Sequence, residues 1–222
     1  MTVAVVVPVY RNATTLEPLV QRLSAALAGR DWRVRLVVDA SPDDSADVAA
    51  RLADDRVAVT VLERNVGQHK ALEGGLREED GATAWVCLDA DLQDPPEAVP
   101  ALLDRLAAGD VDAVFAGRRG SYESGARLVT GRLHRAALRR LTGLPPDAGA
   151  FLAMGPVARG AVLAASAPSL VAAIGVARLP VTSVPVERAE RLDGTSSWTP
   201  TARLRQSART LRWAWRARRV AR

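Results

Sequence analysis

The sequence predicts an α/β fold: a mostly parallel sheet flanked by helices, followed by a basic C-terminal helix. Three observations predict it. Short β-branched apolar runs alternate with stretches of helical spacing from Val3 to Ala116. Those runs are apolar without a break, as in strands covered on both faces. Polar residues gather where the runs end, the edge at which such sheets bind ligands.

Val3–Val7 reads as the first buried strand and leads into a Pro8-Val9-Tyr10 turn. Leu16, Leu19, Val20, Leu23 and Leu27 mark one face of a helix. Val34–Val38 is the second strand and ends at Asp39. Ser45–Leu52 is a short helix with Asp43 or Asp44 as its cap. Val57–Leu62 is a strand, Gln68–Leu76 a helix, and Ala84–Leu88 a strand running into an acidic segment. Pro95 and Pro96 open a helix over Glu97–Leu106, and Val111–Ala116 is the fifth strand. Arg127–Leu141 has helical character, and Phe151–Met154 has strand character. Gly160–Ala177 holds 18 residues without a charge, a length that raises a membrane span. Its Ala, Ser and Gly content and the break at Pro168 favour helix, turn and helix inside the domain.

The length of 222 residues suits one domain plus a tail, divided here as 1–200 and 201–222. An apolar share of 48% is enough for a full core and argues against general disorder. The single cysteine, Cys87, excludes an internal disulfide and a cysteine-based zinc site, and its apolar run makes it a buried thiol. The opening residues carry no signal-peptide pattern, so a cytoplasmic location is expected. The net charge of +5 is local. From Gly194 to Arg222 there are eight arginines and no acid, whereas the preceding residues hold 22 basic and 25 acidic groups.

The segment Asp89-Ala90-Asp91-Leu92-Gln93-Asp94-Pro95-Pro96-Glu97 carries the strongest chemical signal. Two carboxylates two residues apart at a strand end can face one ion if the backbone bends there. Magnesium or manganese prefers such hard oxygen ligands, and Gln93 adds an amide oxygen. A divalent ion of this kind offsets the charge of a departing nucleoside diphosphate. An acidic turn that merely caps the following helix is the alternative for a bare Asp-x-Asp.

The nine-residue segment resembles the signature of the family 2 glycosyltransferases, in the branch of dolichyl-phosphate mannosyltransferases and bacterial polyprenyl-phosphate glycosyltransferases. Other stretches agree in order and spacing: Val5 to Tyr10, Val38 to Ser45, Arg64 to Leu72, Gly117-Arg118-Arg119, Asp147-Ala148-Gly149, and Arg188, Arg191, Gly194 and Ser196. The resemblance implies the GT-A fold, which is Rossmann-like, and an inverting transfer. It implies that Pro8, Tyr10, Asp39, Lys70 and Ala90 line the nucleotide-sugar site with Asp89 and Asp91. It gives the metal, Mn2+ or Mg2+, to Asp89, Asp91 and Gln93, and the acceptor phosphate to Arg118, Arg119 and Arg127.

Departures from the pattern cluster on the acceptor side. At the nucleoside turn, on the donor side, Val38 stands where the family often has a second acid; on the acceptor side Ala150 and Leu152 replace an acid and an arginine, and Ser197 replaces a lysine. A serine often found near the acceptor phosphate falls at Gly131. A polyprenyl phosphate is already ionised and needs no strong base. A soluble alcohol or amine needs one, and Asp147 is then the leading candidate, ahead of His69 and His134. The readings that follow are transfer to a polyprenyl phosphate at the inner membrane face, transfer to a soluble acceptor, or a nucleotide-sugar-binding protein with degraded catalysis. The Leu92-Gln93-Asp94-Pro95-Pro96 variant favours UDP over GDP as the donor nucleotide.

Leu204, Ala208, Leu211 and Trp215 form an apolar stripe in the tail among arginines, with Trp213 off it. Such a helix reads as an interfacial anchor on anionic lipid, with docking onto the domain or onto a partner, including a membrane protein, as alternatives. Nucleic-acid binding leaves the acidic segment unexplained and is not expected.

Overall fold

The structure, a computed structural model, describes residues 1–119, 139–188 and 200–220. Its strands are β1 Thr2–Val9, β2 Asp31–Val38, β3 Val57–Val61, β4 Ala84–Cys87, β5 Ala113–Arg119, β6 Leu152–Met154 and β7 Val181–Glu187. The helices are α1 Leu16–Ala26, α2 Ser45–Leu52, α3 Gln68–Glu78, α4 Val99–Ala107, α5 Pro156–Ala164, α6 Leu170–Val176 and α7 Pro200–Val220. The strands form one sheet in the order β3-β2-β1-β4-β6-β5-β7, parallel throughout except for β6.

The apolar runs are continuous because helices cover both faces. Along β1, Val3, Val5, Val7 and Val9 meet the layer of α1, α2 and α4, while Ala4 and Val6 meet that of α3, α5 and α6. Gly75 lets α3 lie close on the sheet: a Cβ there would stand 2.5 Å from Val6 Cγ1 and 2.8 Å from Val37 Cγ2. Arg159 of α5 lies 4.7 Å from the Trp85 ring and donates to the Leu76 carbonyl, joining α5 to α3 and the sheet. At the opening of the sheet, the buried Glu79 carboxylate accepts from Arg35 Nε at 2.8 Å and forms an ion pair with Arg33 at 3.0 Å.

The uncharged stretch is α5, a turn and α6, all within the domain. Among the described residues, no helix is long and apolar enough to cross a membrane. The helix after the acidic segment begins as a 3-10 turn at Pro96–Ala98, because two adjacent prolines remove the first donors. The expected side-chain cap of α2 is absent: Asp44 occupies the cap position without bonding, and Asp43 instead accepts from Ser45 N at 3.2 Å and from the Ser41 hydroxyl.

α7 packs on α6 through Thr210 and Ala214, both buried, with Trp213 and Leu211 partly buried beside them. The docked face differs from the apolar stripe read in the sequence, since Ala208 and Trp215 on that stripe are exposed. Residues with short side chains fit the close helix contact better than the tryptophan does.

Candidate active site at the sheet edge

Parallel strands deliver their C-terminal ends to one edge, so the ends of β1, β2, β4, β5 and β7 gather there. The segment before β6, which is antiparallel, joins them. The strand order reverses between β1 and β4, since β2 and β3 lie to one side and β4 to the other. Ligands of open α/β sheets bind at such a switch point. Here it is flanked by the Tyr10 turn and the Asp89–Asp94 loop.

Backbone strain collects at the same edge. Arg11, Ala40 and Leu92 have left-handed φ values of 58°, 47° and 58°, and they follow β1, β2 and β4. Each costs about 1 kcal/mol or more, and surrounding bonds must hold it. Leu92 is buried, so packing fixes the bend between Asp91 and Gln93. Asp91 Oδ1 accepts from Gln93 N at 3.2 Å across that bend. The backbone therefore turns sharply between Asp91 and Gln93.

The loops are cross-tied. Arg11 N donates to Ser41 Oγ at 2.7 Å, Asn12 N to Ser45 Oγ at 3.0 Å, and Thr15 Oγ1 to the Ala90 carbonyl at 2.6 Å. The Asp39 carboxylate is buried and accepts from Val66 N at 2.7 Å and Gly67 N at 2.8 Å, pinning the loop before α3 to the end of β2. Gln68, the first residue of α3, donates to Asp89 Oδ1. Asp43 is pushed up most by burial, but bonds from Ser41, Ser45 and Ala13 outweigh that and hold it below the usual carboxylate range. Burial lowers the His69 imidazole to about 4, and its Nδ1 is buried without a hydrogen-bond partner. Cys87 is buried, and desolvation, helped by the nearby Asp89 charge, pushes its thiol up to about 12. Arg22 grips Glu97 with two bonds of 2.7 and 2.6 Å, tying α1 to the turn after the acidic loop.

Asp147 lies across the edge, against Gly117 of β5, and accepts from Ser183 Oγ of β7 at 3.2 Å. A Cβ on Gly117 would collide with its Oδ2, so any larger residue there would force the Asp147 carboxylate to move. Its Oδ1 is buried with no hydrogen-bond partner among the described residues. Arg188, just past β7, reaches the buried Asp94 at 3.5 Å and joins the two sides of the site.

Pro8, Tyr10, Asp39, Asp89, Ala90, Asp91, Gln93 and Asp147 thus share one edge, and Arg118 and Arg119 occupy the last two positions of β5 on it. Lys70 is exposed and pairs with Glu73 along α3. Arg127, Gly131, His134, Arg191, Gly194 and Ser196 lie outside the described residues. Sequence reasoning missed Gln68, Thr15 and the Asp94–Arg188 pair. Asp94 stood within the acidic segment, but nothing local signals a partner 94 positions later.

The donor set around Asp89 and Asp91 suits a hard cation shared with a ligand. Among the described residues, no group of three acids, histidines or cysteines forms a cage for an ion. Magnesium and manganese at nucleotide sites commonly take one or two carboxylates and complete their shell with phosphate oxygens and water. Two carboxylates and one amide oxygen fit that role.

The profile of glycosyl transferase family 2 matches residues 4–154, and the chain belongs to that family. It is similar to the undecaprenyl-phosphate 4-deoxy-4-formamido-L-arabinose transferase of Sodalis glossinidius (strain morsitans). The two are 38% identical over 146 residues, covering 64% of this chain and 44% of the relative. The enzyme of that name from Pseudomonas aeruginosa (strain LESB58) is 39% identical over 147 residues, covering 64% and 43%. The chain thus spans less than half the length of these relatives. Among solved structures, glucosyl-3-phosphoglycerate synthase from Mycobacterium tuberculosis in complex with Mn2+, UDP-glucose and phosphoglyceric acid superposes with a TM-score of 0.70. Identity is 19%, over 97% of this chain and 79% of that one. Its phosphoglyceric acid complex gives a TM-score of 0.71 at 21% identity, with the same coverage. The architecture is that of the GT-A fold.

Proposed function

We propose that the protein is a metal-dependent inverting glycosyltransferase that moves a sugar from a nucleotide sugar to a polyprenyl phosphate at the cytoplasmic membrane face. UDP is favoured over GDP as the nucleotide. The observation that carries the reading is the bent Asp89–Gln93 loop at the strand-order reversal, facing the Asp39 and Tyr10 turns on one side and Asp147 on the other. Family membership and the named activity of the relatives support it.

In this reading Pro8, Tyr10, Asp39, Lys70 and Ala90 line the nucleotide side, and Asp89, Asp91 and Gln93 hold Mn2+ or Mg2+. When bound, the ion neutralises charge on the departing diphosphate. The cross-tied loops hold the donor with little reorganisation left for the reaction. An oxygen of the acceptor phosphate attacks the anomeric carbon as the bond to the diphosphate oxygen breaks. One displacement inverts that carbon. The acceptor phosphate is largely ionised near neutral pH, its second pKa being about 6, so no strong base is required. Arg118, Arg119 and Arg127 supply the positive charge that receives it.

Asp147 supports a second reading with the same donor chemistry. A buried carboxylate oxygen without a bonded partner suits removal of a proton from a soluble hydroxyl acceptor.

The test is calorimetry with UDP and GDP, with and without Mn2+, followed by product analysis with a polyprenyl phosphate and a panel of alcohols. Mn2+-dependent UDP binding and a glycosylated lipid phosphate are expected. Transfer to alcohols alone selects the second reading. Donor binding without any transfer or hydrolysis leaves a nucleotide-sugar-binding protein, and no nucleotide binding at all ends the proposal.

A further inference from the structure

α7 presents two opposed faces. Thr210 and Ala214 are spent on the domain. Arg205, Arg209, Arg212 and Arg216 recur at steps of four, three and four, which places them on one stripe of the helix, and all four are exposed. That stripe is turned away from the docked one. Beside it runs the strip of Ala208, Leu211 and Trp215. Ala208 is exposed, Leu211 is partly buried, and Trp215 is 49% exposed. α7 carries seven arginines and no acid.

Where the arginine stripe meets the loop between α5 and α6, a cavity of about 410 Å³ opens. It is lined by Arg209, Arg212, Arg216, Trp213, Ser166 and Pro168. Three guanidinium groups, a hydroxyl and an indole make a receptor for a phosphate next to an apolar surface. None of the lining residues is acidic.

We propose that this outer face of α7 is a docking surface for an anionic phospholipid bilayer. The helix lies along the surface, with Arg209, Arg212 and Arg216 on headgroup phosphates and Trp215 at the interface. The apolar strip beside the basic one decides for lipid over nucleic acid, since phosphates along a duplex offer nothing for Ala208 and Trp215 to cover. Domain docking and membrane docking therefore use opposite sides of the same helix. The inference rests on charge and exposure and is independent of the acceptor assigned above.

The experiment is flotation of the full chain with phosphatidylcholine vesicles and with vesicles containing 30% phosphatidylglycerol. Binding to the anionic vesicles alone is expected, weakening as salt rises. Joint substitution Arg209→Glu, Arg212→Glu and Arg216→Glu lowers that affinity at least tenfold, while Mn2+-dependent UDP binding stays as in the unmodified chain. The same charge change at Arg30, Arg51 and Arg56, on the α1–α2 side, leaves most of it. Should the triple variant melt early, tryptophan fluorescence of the unmodified chain supplies the second measurement. Brominated anionic lipid should quench it, and Trp215→Phe should remove most of the quenching. Equal affinity for neutral and anionic vesicles, equal losses in both triple variants, no quenching, or tighter binding to an oligonucleotide than to the vesicles would each overturn the proposal.

Discussion

The two halves of the sheet edge are held in different ways. On the side of β1, β2 and β4, short polar side chains bond the backbones of neighbouring loops: Ser41 to Arg11, Ser45 to Asn12, Thr15 to Ala90, Asp39 to Val66 and Gly67. On the side of β5, β6 and β7, the ties run between side chains rather than to backbones. Asp147 leans on Gly117 and Ser183, and Arg188 reaches back to Asp94. The first half is thus fixed loop to loop. The second is tied to the first through Arg188 and Asp94.

The largest expected effect tests the first half alone. Asp91→Asn should lower turnover by about 10³ or more and abolish Mn2+-dependent UDP binding while circular dichroism stays unchanged. Metal-independent UDP binding that the variant retains would mean the fixed half is not the donor site.

Asp147→Asn separates the halves. With a hydroxyl acceptor, kcat/KM should fall by about 10² or more; with a phosphate acceptor, the loss should stay under about tenfold. Equal losses on both acceptors would erase the distinction between them.

Gly117→Ala should displace the Asp147 carboxylate, cost about 1–3 kcal/mol in urea unfolding, and raise KM for the acceptor at unchanged UDP affinity. A parallel drop in UDP affinity would show that the halves are coupled, through Arg188 and Asp94 in the first instance.

The next effect belongs to pH. His69 is held near 4 in the fold by burial, against 6.5 for a free histidine. Between these values the unfolded chain binds a proton that the folded chain refuses, so stability falls as pH drops from about 6.5 to about 4. The loss is about 1–2 kcal/mol after allowance for solvent. Denaturant titrations across that window should steepen for the parent chain and flatten for His69→Gln; identical slopes would remove His69 as the cause.

The smallest effect is at Arg22 and Glu97. This pair is well formed but exposed, so Glu97→Gln should change stability by less than about 1 kcal/mol and UDP affinity by less than about threefold. A larger change in affinity would make the pair part of the donor half.

Much of the fold was legible because its signals are local. Val3–Val7 announces a strand buried on both faces, and Leu16, Leu19 and Leu23 announce a helix face. Asp39 and Asp89 were legible as strand-end residues for the same reason. β1 and β2 proved longer than their apolar cores, Thr2–Val9 and Asp31–Val38, because ladder pairing carries polar residues such as Arg33 and Arg35 along. Arg35 and Arg33 find Glu79 only after α3 has folded back. In the tail, hydrophobicity did not identify the face that docks; shape did, through Ala214 and Thr210.

By itself the sequence determined the order of strands and helices as far as Ala116 but not the edge strand Val181–Glu187, together with the continuous apolar character of the sheet and the acidic loop with the chemistry its carboxylates allow. These depend on residues within a few positions of one another. Only the tertiary structure decided that Asp147 shares an edge with Asp91, that its carboxylate lies against Gly117, that Asp94 meets Arg188, and which side of α7 faces outward. Each depends on where distant segments come to rest, and that is set by the closure of the sheet and the packing of both helix layers together.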